Sequence, residues 1–286
     1  MRVKLLPFLF LLPILALIFS LGIYPLFFSL YYSFFQYTIH DITRISFVGV
    51  SNYIRIPFDN LFQNSFSLSI LYTAFCLALE FPLGLGFAIL FNSERKVITA
   101  IRSIIIVPMI LTPVAVGVIW KMMFQSEFGI INYIIGKIGL PPQPWLGDPS
   151  LAMVAVVVVD VWQWTPFIFL ILLASLQGLP KEPLEAARID GASSFQLFRH
   201  IILPMIKLPI IVALLLRTID LLRIFDHIYI VTRGGPALAT DFLSLFIYRT
   251  GLKFFDIGYA SALSWIYLFI LTFIAIITFK IAKIKI

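Results

Sequence analysis

Long apolar runs separated by short polar segments dominate this chain of 286 residues. A helix that crosses a bilayer needs about 20 consecutive apolar residues. Six segments meet that length, at about 5–35, 66–91, 104–124, 151–176, 205–230 and 258–280. Pro108 and Pro113 fall inside the third. Membrane helices tolerate proline because neighbouring groups satisfy the freed backbone atoms. The pattern predicts an all-α, polytopic membrane protein of about six transmembrane helices. The first run follows Met1-Arg-Val-Lys and looks at its start like a signal peptide. It is longer than a signal-peptide core, and no A-x-A site follows, so a retained first span is expected.

Composition agrees with this reading. The chain is 61% hydrophobic and 12% charged, with a mean hydropathy of +1.03. A soluble domain is roughly 45–50% apolar and about 25% charged. The net charge of +7 would suit nucleic acid only with a basic patch interleaved with aromatics, and none lies outside the apolar segments. The basic residues instead flank the spans. With the N-terminus inside, the inner segments collect Arg2, Lys4, Arg95, Lys96, Arg102, Lys181, Arg188, Arg199, Lys207, Lys280, Lys283 and Lys285. The outer segments hold Arg44, Arg55, Lys137, Arg233, Arg249 and Lys253. Basic residues concentrate on the cytoplasmic side, so both termini are expected there. Cys76 is the single cysteine. It allows no internal disulfide and no cysteine-based metal site, and a small buried role is expected. No metal site is expected elsewhere.

Between the third and fourth spans, 139–149 is dense in proline and predicts a structured loop, with a short interfacial helix over 129–137. The polar segment at about 177–204, between spans four and five, carries more information. Lys181 to Ile189 is helix-prone, with Pro183 in its first turn and Glu182 and Glu185 near its N-terminus. Gly191 stands where a left-handed residue would close that helix. Ser193 and Gln196 have the spacing of a capping box opening a second helix. Phe195, Phe198 and Ile202 share one helical face. The segment therefore reads as two short helices meeting at a glycine elbow. Small side chains at Ala186, Ala187 and Gly191 would let another backbone approach, although a plain solvated connector has the same local chemistry.

The same residues carry a resemblance. Glu185-Ala-Ala, Asp190-Gly-Ala and Ile201-x-Leu-Pro204 resemble, without gaps, the EAA loop of binding-protein-dependent ABC importer permeases. The resemblance implies that Glu185, Ala186, Ala187, Asp190 and Gly191 dock on a cytoplasmic ATPase subunit as a coupling helix. Further segments are similar to the carbohydrate branch, in particular the maltose permease F-type subunit. They are Phe47-Val-Gly-Val-Ser-Asn-Tyr53, Phe225-Asp-His-Ile-Tyr-Ile-Val-Thr232 with Gly234-Gly-Pro236, Leu243-Ser-Leu-Phe-Ile-Tyr248 and Phe255-Asp-Ile-Gly-Tyr-Ala260. Val231 departs from the usual Leu. The resemblance covers nearly the whole chain and implies one transmembrane domain over 1–286. It also implies a second homologous permease subunit, two ATPase subunits, an extracellular solute-binding protein and a sugar or related polyol as substrate. ATP and Mg would sit on the ATPase, with no cofactor in this chain. A prokaryotic cell membrane follows. The Gly-Lys pair at 136–137 lacks P-loop spacing, so no ATP site is expected here.

Ionisable groups within a span are costly, so they become functional candidates. Arg217, Asp220, Arg223 and Asp226 recur every three residues in the fifth span and predict a stripe of i,i+3 neighbours on one helix. They would line a substrate path or form a ladder of self-paired charges. Asp160, Trp162, Gln163 and Trp164 cluster in the middle of the fourth span, a mixture of aromatic faces and polar groups suited to a sugar. Glu80 and Trp265 are weaker candidates. His227 is expected to pack beside Arg223 or Asp226. The alternative function is a secondary transporter in which Glu80, Asp160, Asp220 or Asp226 carries a coupling proton. A membrane enzyme would need a nucleophile–base or metal constellation, which three scattered histidines and one cysteine do not supply.

Overall fold

The computed structural model describes residues 5–39, 45–93 and 95–281. Arg2, Lys4, Arg44, Lys283 and Lys285 of the charge count, and both termini, lie outside them. Fifteen α-helices follow in order among the described residues: α1 Leu5–Leu17, α2 Tyr24–Tyr32, α3 Ser51–Arg55, α4 Asn60–Leu90, α5 Lys96–Ile110, α6 Pro113–Met123, α7 Ile130–Lys137, α8 Pro149–Gln177, α9 Lys181–Ile189, α10 Ser194–Leu197, α11 Leu203–Met205, α12 Lys207–Leu222, α13 Asp226–Val231, α14 Leu243–Tyr248 and α15 Ile257–Ile281. Among the described residues, two short strands, β1 Phe35–Gln36 and β2 Ser46–Phe47, pair antiparallel with Phe35 opposite Phe47.

Four helical stretches are long and apolar enough to cross a membrane: Phe10–Tyr32, Asn60–Leu90, Pro149–Gln177 and Ile257–Lys280. The first joins α1 to α2 through a wide π turn and ends at Tyr32, short of the expected Phe35. The third and fifth predicted spans are not single helices. α5 and α6 meet at 94°, because Pro113 denies Thr112 the helical region. Thr112 is extended and its hydroxyl caps Ala115 N at 3.4 Å. The fifth breaks twice, bending 65° at Ile206 and ending at Leu222 before α13 begins.

The chain forms two compact units, with boundaries inside α4 and at two further places. One unit comprises 1–63 and 246–272. Asn52 donates to the carbonyls of Ser33 and Phe35 at 2.9 and 3.0 Å, and Tyr53 donates to Ser33 Oγ at 2.7 Å. Asp59 caps Leu61 N at 2.9 Å and accepts from the Tyr259 hydroxyl at 2.7 Å. The Asn-Tyr and Phe-Asp-Ile-Gly-Tyr segments thus build this unit.

The other unit comprises 64–245 and 273–286, and α8 is its core. Val156, Val159, Ile168, Phe169 and Leu172 are fully buried. A Cβ on Gly84 would stand 2.8 Å from Ile168 Cγ2, so the missing side chain sets how closely α4 meets α8. The proline-rich loop is ordered by Asn132. Its amide donates to Ser126 O and Gln143 O, both at 3.0 Å, and accepts from Gln143 N at 3.1 Å and Trp145 Nε1 at 2.8 Å. Asp148 caps α8. The Ser150 hydroxyl, with the Leu151 amide, holds its carboxyl below the ordinary value.

Candidate functional site

The polar loop after α8 closes on itself by local bonds. Ala192 N donates to Ala187 O at 2.9 Å and Gly191 N to Arg188 O at 3.1 Å, the paired bonds that end a helix in a left-handed residue. Gly191 supplies it at φ +80°, with open space where a Cβ would lie. Gln196 N then donates to Ser193 Oγ at 3.3 Å, and Ser193 N to Gln196 Oε1 at 2.8 Å. The capping box expected from spacing is present. Glu185, Ala186, Asp190 and Gly191 are exposed and Ala187 half-buried. Two large apolar side chains project beside them, Ile189 at 86% exposure and Phe195 at 67%. Phe195 is exposed while Phe198 and Ile202 are half-buried, so the three do not form the single face expected from their spacing. Ile189 carried no distinctive signal in the sequence beyond being apolar next to Asp190.

The intramembrane candidates divide into two groups. Glu80, Asp160 and Arg217 are fully buried and form one ion cluster. Arg217 Nε and Nη2 each reach a Glu80 carboxylate oxygen at 2.8 Å, and Nη2 also contacts Asp160 Oδ2. His227 Nε2 stands 3.6 Å from Asp160 Oδ1 and 3.5 Å from the Tyr72 hydroxyl. The Arg217 guanidinium lies over the Trp164 ring at 5.3 Å. Besides its chain neighbour Asp226, His227 packs against Asp160, a partner the spacing did not indicate. Arg217 pairs across three helices rather than with its i+3 neighbour. The expected four-residue stripe does not exist as one face, since α12 ends at Leu222 and Asp226 opens α13. Cys76 places its sulfur within 4.8 Å of the Glu80 and Asp160 carboxylates. These are donor types of a metal site that the lone-cysteine argument left out, but Arg217 already holds the place of a cation.

Gln163 is buried and donates to Leu111 O at 3.1 Å. That carbonyl is freed by the bend between α5 and α6, so Gln163 satisfies the broken span. The second group is exposed: Asp220, Arg223, Asp226, and Trp162 at 41%. Trp162 meets Trp120 edge-on at 5.6 Å and helps line an apolar hollow of about 340 Å³ with Leu83, Phe87, Ile105 and Pro108. Trp120 was not singled out from sequence, although its aromatic side chain near the end of a span was the available signal. Trp265 belongs to the other unit, where its ring lies 6.0 Å from Phe269.

Residues 80–284 match the family described as "Binding-protein-dependent transport system inner membrane component". The chain is 38% identical over 282 residues to the trehalose/maltose transport system permease protein MalF of Thermococcus litoralis, covering 98% of this chain and 92% of that one. It is 32% identical over 261 residues to the sulfoquinovosyl glycerol transport system permease protein SmoG of Agrobacterium fabrum, covering 91% and 85%. Its fold matches a chain of a bacterial ABC transporter involved in the import of the acidic polysaccharide alginate, with a TM-score of 0.84 at 20% identity over 97% of this chain and 95% of that one. The chain belongs to the binding-protein-dependent transport system inner membrane components, the permease subunits of ATP-binding-cassette importers.

Proposed function

We propose that this permease forms half of a translocation pathway for a sugar or related polyol, with 1–286 acting as one transmembrane domain. The observation that carries the coupling part is the exposed elbow of α9 and α10. It is closed by its own backbone and capping hydrogen bonds, while the carboxylate side chains of Glu185 and Asp190 have no hydrogen bond or ion pair among the described residues. Rigid elements of this kind pass a two-state motion from one body to another. Glu185, Ala186, Ala187, Asp190 and Gly191 meet a cytoplasmic ATPase subunit, with ATP and Mg held there. The assembly has two such subunits, a second homologous permease and an extracellular solute-binding protein. It sits in a prokaryotic cell membrane with both ends of this chain inside.

The names of two relatives, one for trehalose/maltose and one for sulfoquinovosyl glycerol, support a sugar substrate. So do the exposed Trp162 ring and the exposed Asp220, Arg223 and Asp226. Glu80, Asp160 and Gln163 act on the pathway from behind, since they are buried. Proton coupling has no support in the family, and the two buried carboxylates are engaged by Arg217. The test is radiolabelled sugar uptake by cells carrying the full transporter. Uptake that stops on ATP depletion and survives a protonophore supports the proposal. Uptake that survives ATP depletion and stops with the protonophore refutes it.

A further inference from the structure

Arg102, within α5, joins the ends of two other helices, α4 and α8, at the base of the polar loop. Its Nε and Nη2 donate to Phe91 O at 2.9 and 2.6 Å, and Nη2 donates to Ser93 O at 2.8 Å. Both carbonyls lie just past the last residue of α4, where the helix's own amides no longer reach them, and Phe91 O also accepts from Ser93 N at 2.9 Å. A basic side chain at a helix C-terminus satisfies them and complements the dipole. The same guanidinium reaches Gln177. With its amide oxygen turned toward Arg102, Gln177 accepts from Nη2 at 3.0 Å and Nη1 at 3.2 Å. Gln177 is the last residue of α8, and α9 begins four residues later.

Beneath this clasp lies an apolar cluster that ties the same pieces together. Ala88, Leu172, Leu176 and Ile206 form part of its buried centre. Phe91, Ile105, Leu179 and Ile202 pack against that centre. Leu179 and Ile202 stand at the two ends of the polar loop. Both ends of the loop are therefore seated on one close-packed body that includes the end of α4 and the interior of α5. Close packing transmits displacement rather than absorbing it. What the apolar cluster lacks is direction, and the fork of Arg102 supplies fixed hydrogen-bond geometry that a lysine could not.

We infer that Arg102 is a positioning residue for coupling: through Gln177 it makes the cytoplasmic ends of α4 and α5 follow the movement of the α9–α10 loop. The inference rests on the reading of that loop as the ATPase contact. In transport terms, α4 carries Glu80 and α5 is the first half of the bent span whose second half, α6, carries Trp120, so a loop that moves without this link would leave part of the pathway behind.

The test is hydrogen–deuterium exchange on the whole complex, purified through a tag on this chain, with and without Mg-ATP. Two segments are read, the loop at about 181–197 and the helix ends at about 88–105. In the wild type both change their protection on adding Mg-ATP. In Arg102→Gln the loop still responds and the helix ends lose their response. Gln177→Ala has the same effect through the other partner, and the double variant is no worse than Arg102→Gln, because both remove one link. A merely structural Arg102 would lower protection of the helix ends equally in both conditions and leave the nucleotide-dependent difference intact. That result, or a full response in Arg102→Gln and Gln177→Ala, overturns the inference alone. If Arg102→Gln does not assemble, Gln177→Ala decides. A wild-type loop that ignores Mg-ATP overturns the coupling reading and this inference with it.

Discussion

Arg217 lies across Glu80 in a two-point fork, 2.8 Å at each oxygen, although the two residues are 137 positions apart. Both are fully buried, and the same guanidinium holds Asp160. A buried pair of this kind adds little against an apolar replacement of the whole group. Removing one partner, in contrast, leaves a bare charge and costs about 3–5 kcal/mol. Arg217→Met should therefore destabilise the chain by about that amount, measured by thermal unfolding in detergent. Glu80→Gln should cost less, since Asp160 remains to face the guanidinium. Equal stability of Arg217→Met and the wild type would show that the cluster bears no structural load.

Gln163 is expected to behave as a backbone partner. Gln163→Leu leaves the half-buried Leu111 O without its side-chain donor, at a cost of about 1–3 kcal/mol. The measurement is again thermal unfolding, accompanied by sugar-stimulated ATP hydrolysis in the assembled transporter. Stability should fall first. A variant with unchanged stability and lost stimulation would return Gln163 to the substrate.

Trp162 differs because its ring is partly open. Trp162→Ala should lower sugar-stimulated ATP hydrolysis by several-fold while basal hydrolysis stays near the wild type. An equal loss of both would mean that Trp162 serves only its packing against Trp120, 5.6 Å away.

Gly191 is held at φ +80°, with no described atom within 4 Å of where a Cβ would stand. Asp in its place meets a left-handed penalty of about 1 kcal/mol and projects a charged side chain into the docking face. Gly191→Asp should still insert in the membrane, assayed by fractionation, but abolish uptake. Normal uptake would remove the coupling role from the elbow.

What could be read from the sequence followed the range of the interactions. The elbow was legible because its bonds are local, as in Ser193 to Gln196 and Ala187 to Ala192. Apolar length gave the existence of the spans. The bends were harder. Pro113 was visible, but hydrophobicity runs straight through it, and the break depends on Thr112 and on a distant Gln163 that satisfies Leu111. The ion cluster was not legible at all in its pairing. Spacing by three suggested that Arg217 would meet Asp220, while rotation of α12 in the bundle gave it to Glu80 and Asp160 instead. Arg102 counted only as one more inner charge until its carbonyl partners could be seen.

The central claim is that this chain works as the permease of an ATP-driven importer, docked through the α9–α10 elbow. The most direct measurement is gentle purification of the tagged chain from its native membrane, followed by mass spectrometry of what accompanies it. A second permease and a P-loop ATPase should accompany it, with the ATPase lost from a Glu185→Ala, Gly191→Asp variant that still inserts. Recovery of a stable chain by itself, or an ATPase retained by that variant, would contradict it.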